Sequence, residues 1–198
     1  VSVISEGYSE KLNKVDKLEI ERVREKHGLK KDYIFFLGTI GPRKNLERMI
    51  EAFEQIREEY NIEFVLSGKV IKGFGHILDN KGVKHIGYAP DEDLSALYTG
   101  AEFLSFVSEE EGFGLPILES MSCGTPVLTA DATATKEVAG EAALLVEPYS
   151  VDSIKEGMRK LLNNKELRNE LVEKGYKNLE NYSWEKSAKE LIEVFKKL

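Results

Sequence analysis

Apolar residues follow two spacings along this chain. Short continuous runs alternate with stretches in which apolar positions recur at helical period. Tyr33, Ile34, Phe35, Phe36 and Leu37, closed by Gly38, read as a strand buried on both faces. Leu46, Met49, Ile50, Phe53 and Ile56 then fall on one face of a helix, with Asn45 placed to cap it. Residues 62–68 predict the next strand, again ending in Gly. A short strand follows over 83–87, and Asp91 is placed to cap a helix running through Tyr98. Further strands are predicted over 102–107, 125–129 and 142–146, with a helix over 115–122 between the first two. After them the pattern is wholly helical, over 151–162, 166–179 and 184–197.

Strands with continuous apolar cores, alternating with helices, predict an α/β domain. Its natural form is a doubly wound, Rossmann-like parallel sheet, which binds ligands beyond the carboxyl ends of its strands. The opening residues break the alternation. They hold a strand-like Val1, Ser2, Val3, Ile4 and one charged helix over 16–27. Residues 1–30 therefore read as a connecting segment and residues 31–198 as the domain.

Composition removes several function classes. Apolar residues make up 41% of the chain, enough to fill a core. No apolar run approaches the ~18 residues of a membrane span and no leader pattern opens the chain, so the expectation is a soluble, cytoplasmic protein. The net charge of -7 argues against nucleic acid as a partner. A single Cys123 excludes an internal disulfide, and His27, His76 and His85 lack metal-ligand spacing, so no metal site is expected. Charge carried by Lys and Glu more than by Arg and Asp fits a thermophilic source and fits exposed helices equally well. Cys123 reads as a small buried hydrophobe, His85 as a satisfied structural histidine, and Trp184 as an anchor for the last helix. His76, flanked by glycines, is placed either to approach a ligand or simply to sit in a loop.

Two turns carry candidate chemistry. Gly38, Thr39, Ile40, Gly41, Pro42, Arg43, Lys44 and Asn45 link the first strand to its helix. Their glycines admit close backbone approach, and Arg43 and Lys44 add cations suited to a diphosphate. An ordinary turn with two surface cations reads the same residues without a ligand. The second turn, Gly112, Phe113 and Gly114, sits directly after a strand and before a helix, with Pro116 in the first helical turn. Amides of Phe113, Gly114 and Leu115 are thereby left for an anion at the positive helix end. Glu111 and Glu119 flank this start and suit the hydroxyls of ribose and hexose. Both also fit a plain acidic surface.

The stretch from Ser108 through Glu111, Gly112, Phe113, Gly114, Leu115, Pro116 and Glu119 to Val127 resembles the Glu-x7-Glu signature of the retaining, two-domain "B"-fold glycosyltransferases of family 4, the group 1 transferases. Gly87, Tyr88, Ala89 and Pro90 resemble the family's Gly-Tyr-Val-Pro loop. Lys136, Glu137 and Val138 with residues 142–146 resemble the strand after the signature, and Tyr182, Ser183 and Trp184 its aromatic turn before the last helix. The resemblance covers residues 30–198.

The resemblance implies the C-terminal, donor-binding domain of a hexosyltransferase that uses a UDP- or GDP-linked sugar with retention of configuration and without a bound metal or cofactor. Glu119 would take the ribose hydroxyls and Glu111 the donor sugar. Gly112, Phe113, Gly114 and Leu115 would offer amides, Arg43 and Lys44 would neutralise the leaving diphosphate, and Gly87 and Tyr88 would meet the base. Gly38, Thr39, Gly41 and Ser108 complete the implied donor site. Thr39 stands where many members carry Arg. The form Gly-Thr-Ile-Gly-Pro-Arg-Lys-Asn resembles a subgroup with mannosyltransferases of polysaccharide assembly, pointing to GDP-mannose. On the resemblance, the N-terminal acceptor domain would be missing here, and any peripheral membrane contact would come through it. The isolated chain would then hold half an active site. A same-fold epimerase or phosphorylase, or a non-catalytic nucleotide-binding module, are the competing readings.

Overall fold

The computed structural model describes residues 3–197. Six strands pair in the order β3-β2-β1-β4-β5-β6, every neighbouring pair parallel. They are β1 (Tyr33–Leu37), β2 (Glu63–Ser67), β3 (Val83–His85), β4 (Phe103–Phe106), β5 (Val127–Ala130) and β6 (Leu144–Val146). Every residue of β4 and β5 is buried, so neither face of the central sheet meets water. That is why their sequences are continuous rather than alternating. Phe35 meets the ring of Tyr98 edge-on at 5.2 Å, and Phe36 stacks on Phe106 at 6.2 Å. The doubly wound expectation holds.

The helices are α1 (Lys17–Lys26), α2 (Leu46–Glu54), α3 (Arg57–Tyr60), α4 (Asp91–Thr99), α5 (Leu115–Ser122), α6 (Thr133–Ala139), α7 (Val151–Asn163), α8 (Lys165–Leu179) and α9 (Trp184–Phe195). One group pairs α2 with α7; the other joins α1 to α4 and α5 to α4, α6 and α8. Among the described residues no helix is long and apolar enough to cross a membrane. Helix α9 is different from the rest, because Leu191, Ile192 and Phe195 on it are exposed.

Strand order reverses between β1 and β4, whose connections leave in opposite directions. Such a switch point opens a crevice at the carboxyl ends of the strands. The turns after β1 and β4 therefore end side by side, although the sequence separates them widely.

Several local expectations need correction. Val3 and Ile4 form no strand, and Val1 and Ser2 lie outside the described residues. Asn45 does not cap α2. It adopts a left-handed conformation, φ 55°, and turns its amide elsewhere. Asp91 is the first residue of α4 rather than its cap, which is Pro90 without a side-chain bond. Lys136, Glu137 and Val138 lie in α6, not on a strand. The spacing also missed α3, α6 and two 3-10 turns, Pro42–Lys44 and Gly75–Asp79.

The opening segment is strapped to the domain. Leu12 and Val23 are buried in its core. Asn13 N donates to Ser95 Oγ at 3.3 Å and Val15 N to Thr99 Oγ1 at 3.4 Å, tying the chain along α4. Asp16 caps α1 through the Glu19 amide at 3.0 Å. Asp93 of α4 has no exposed side-chain surface and is held by two residues of α1, Lys26 at 2.7 Å and Arg22 at 3.3 Å, and by His27 at its C-cap, at 2.8 Å. Burial pushes its carboxyl up, but the bonds and charges of Lys26 and His27 outweigh this and hold it below the usual aspartate range.

Candidate functional site

Backbone pairing prolongs β1 into the first turn. Gly38 N donates to Ser67 O at 2.9 Å, and Ile40 forms an isolated parallel bridge with Val70. Gly68 is required where these segments meet, since a Cβ there would lie 2.0 Å from Gly38 O. Thr39 and Arg43 are exposed, and Pro42–Lys44 forms the 3-10 turn that presents the two cations. Asn45 then braces the site. Its Nδ2 donates to Val107 O at 3.0 Å and to Pro148 O at 2.7 Å, joining the ends of β1, β4 and β6.

Further bonds knit the first turn to the second. Glu109 N donates to Arg43 O at 3.0 Å. Arg48 of α2 reaches Glu109 Oε1 at 2.5 Å and Asn45 Oδ1 at 2.9 Å. Lys44 Nζ pairs with Glu111 Oε1, while lying 4.8 Å from the centre of the Phe106 ring. Cation and carboxylate, assigned separately from the sequence, thus form one ion pair across the switch point.

Gly114 opens α5 at φ 110°, a left-handed conformation that favours glycine. Pro116 follows at the second helical position, where its missing N–H is no loss. Amides of Phe113, Gly114 and Leu115 donate to no partner among the described residues. The Phe113 ring packs edge-on against Tyr182 at 5.8 Å. Ser108, wholly buried at the end of β4, has a hydroxyl without a hydrogen-bond partner.

Glu119 lies further along α5. It lines a cavity of about 360 Å³ together with Ser9, Lys11, Leu12, Asp91 and Ser95. Tyr98 donates its hydroxyl to Glu119 Oε2 at 2.8 Å. Burial raises the Glu119 carboxyl above its usual range, the Tyr98 bond opposes the rise, and the charge of Asp91 adds to it. A larger cavity, about 650 Å³, is lined by α9 with Val3 and Ile4 and contains none of these residues.

Of the expected site residues, Arg43 and Lys44 are thus joined to the second turn through Glu109 and Glu111; no bond links Gly38, Thr39 or Gly41 to Ser108 or residues 112–115 among the described residues. Glu119 stands on its own cavity. Gly87 and Tyr88 follow β3; Gly87 O accepts from Gly68 N at 2.8 Å, and Tyr88 is 79% exposed. His76 bonds Glu47 at 3.2 Å and Gly73 O at 3.1 Å rather than any site residue. His85 donates to Gly68 O at 2.8 Å, a structural tie, and burial pushes the Cys123 thiol up to about 11. Among the described residues no group of three or more His, Cys, Asp or Glu is placed to hold a metal. Sequence reasoning missed Asn45 as a brace, Tyr98, and the cavity wall made by Ser9, Lys11 and Leu12. Tyr98 lay hidden in the apolar pattern of α4, and only its hydroxyl marks it.

Residues 19–178 match the family Glycosyl transferases group 1. The chain is 33% identical over 178 residues to the O-antigen chain mannosyltransferase B of Escherichia coli, covering 84% of this chain and 46% of the relative. It is 31% identical over 190 residues to the serotype-specific mannosyltransferase WbdA of Escherichia coli, covering 90% of this chain and 23% of the relative. The chain therefore spans about half or less of the length of these relatives. Among solved structures, Anabaena HepE in complex with UDP and glucose superposes with a TM-score of 0.87 at 18% identity, covering 100% of this chain and 57% of that one. The C-terminal domain of a group 1 glycosyl transferase from Francisella tularensis superposes at 0.74 with 24% identity, covering 88% of this chain and 97% of that one.

Proposed function

Because the chain belongs to the group 1 glycosyl transferases, we propose that it is the donor-binding domain of a retaining hexosyltransferase and binds a nucleoside-diphosphate sugar at the switch point. The observation that carries this reading is the meeting of a cation-bearing turn with a helix start whose amides are free, joined by Lys44 and Glu111. In this reading Arg43, Lys44 and the amides of Phe113, Gly114 and Leu115 take the diphosphate. Negative charge grows on that group as the glycosidic bond breaks, so fixed positive charge there lowers the barrier. Glu111 takes the sugar hydroxyls. Glu119 accepts from the ribose within its cavity, whose volume of about 360 Å³ is suited to a nucleoside. Gly87 and Tyr88 border the base.

GDP-mannose is the proposed donor, supported by the Gly38 to Asn45 turn and by the mannosyltransferase relatives. Residues 1–30 connect this domain, residues 31–198, to an N-terminal acceptor-binding half such as the additional length of the relatives would supply. Exposed Leu191, Ile192 and Phe195 of α9 supply an apolar face for that half. The test is thermal unfolding of the chain with UDP, GDP, UDP-glucose and GDP-mannose. Stabilisation by the guanosine series alone is expected, since a ligand that binds only the folded state raises the melting temperature. Stabilisation by the uridine series alone overturns the donor assignment, and none from any of them overturns the site.

A further inference from the structure

Tyr98 is held by the core rather than by any ligand. Its side chain has no exposed surface, its ring meets Phe35 edge-on at 5.2 Å, and its carbonyl accepts from Thr125 Oγ1 at 2.7 Å. The preceding carbonyl, Leu97 O, accepts from Tyr33 Oη at 2.8 Å. The hydroxyl therefore occupies a fixed point, and from that point it donates to Glu119 Oε2 at 2.8 Å. Glu119, in contrast, borders the 360 Å³ cavity. A tyrosine serving only to fill the core would need no hydroxyl, because a buried hydroxyl without this carboxylate would be an unsatisfied group.

We propose that Tyr98 is a positioning residue for the donor site: it clamps one oxygen of Glu119, so that the other is presented to the ribose hydroxyls of the nucleotide. This rests on the assignment of the cavity to the nucleoside. An unclamped carboxylate would rotate among several orientations, and ordering it would oppose binding. The clamp also favours the ionised group. Tyr98, Ser95 and Asp91 of α4, Cys123 at the C-cap of α5, and Lys11 and Glu92 at the cavity are the polar and charged groups around it. Burial and Asp91 favour the protonated acid, and the Tyr98 bond opposes them. Without the hydroxyl the carboxyl rises further. Binding that uses the ionised form is lost as pH falls through this pKa, so its acid limb moves to higher pH.

The experiment is calorimetric titration of the chain and of Tyr98→Phe with GDP and UDP and with their 2′,3′-dideoxy forms, across pH. In the wild type, loss of the ribose hydroxyls should weaken the preferred nucleotide about tenfold, the worth of a charged hydrogen bond. In Tyr98→Phe the ribonucleotide should weaken about tenfold on the acid side, its acid limb should shift upward, and the dideoxy form should bind as before. A Tyr98→Phe variant that keeps the wild-type acid limb and full discrimination against the dideoxy form overturns the proposal. So does one that weakens both forms equally, which is the mark of a purely structural residue. A wild type that binds no nucleotide refutes the underlying donor-site reading instead. Should Tyr98→Phe not fold, 3-fluorotyrosine incorporation keeps the ring and makes the hydroxyl a stronger donor. The Glu119 carboxyl signal, assigned with Glu119→Gln, should then titrate at lower pH, and an unmoved titration overturns the clamp.

Discussion

Replacing Glu111 with Gln tests what the Lys44–Glu111 pair does before a donor arrives. The two side chains are only 18% and 15% exposed, so their attraction is less screened than that of a surface pair. Two unit charges in contact interact by about 4 kcal/mol at an effective dielectric of about 20. Solvation lost by both groups offsets much of this, leaving about 1.5–3 kcal/mol for a charged hydrogen bond. A free nucleoside diphosphate competes with Glu111 for Lys44 and also feels the repulsion of the carboxylate. It lacks the sugar that would compensate Glu111. Glu111→Gln should therefore bind the free diphosphate about tenfold more tightly, close to 1.4 kcal/mol. The sugar nucleotide loses its own bonds to Glu111 and should gain little. Isothermal titration with GDP and GDP-mannose in parallel reads the ratio directly. A variant that binds free GDP no better than the wild type, or worse, refutes the competition.

Other consequences follow from single contacts. Asp93→Asn strips the negative charge from the clasp of Arg22, Lys26 and His27. Since Arg22 and Lys26 are nearly half exposed, at 49% and 41%, the loss should be about 2–3 kcal/mol, lowering Tm by about 5–10 °C. Asp93 is held below the usual aspartate range, so its stabilisation is complete above pH about 4 and fades as pH falls. The Tm gap between wild type and Asp93→Asn should narrow in acid; a constant gap contradicts the clasp. Asn45→Ala removes two buried bonds to Val107 O and Pro148 O, which should cost about 2 kcal/mol and weaken diphosphate binding as the turns separate; full retention of affinity in a folded Asn45→Ala would show the brace to be irrelevant to the site. Gly68→Ala places a methyl 2.0 Å from Gly38 O at a φ of 141°. It should destabilise by about 3 kcal/mol or more in chemical denaturation, and an unchanged midpoint would show that this close approach relaxes freely.

The strands were legible because both faces of the sheet are covered, which turns each strand into an unbroken apolar run such as Tyr33 to Leu37. The bounds of α5 were legible for a local reason, Gly114 and Pro116 at its start. Helices α3 and α6 were not, because four and seven residues respectively give too little periodicity to register. Asn45 and Asp91 misled for one shared reason. Both residue types favour helix caps, but Asn45 bonds carbonyls 62 and 103 residues away, and no local rule contains that. The same limit applies to the candidate site. Lys44, Glu111 and Glu119 were each readable as chemistry in a turn or at a helix start. The Lys44–Glu111 pair spans 67 residues and the Tyr98–Glu119 bond 21, and both depend on how the sheet order folds the turns together.

If the switch point holds a nucleoside diphosphate between Lys44 and the start of α5, both ends of that ligand should be readable in one titration series. The most direct measurement is calorimetric titration of GDP into the wild type, Lys44→Ala and Glu119→Gln, with circular dichroism to verify folding. The wild type should bind GDP one-to-one, and each variant should lose at least about tenfold, by separate routes through diphosphate and ribose. Wild-type affinity retained in both folded variants would contradict this.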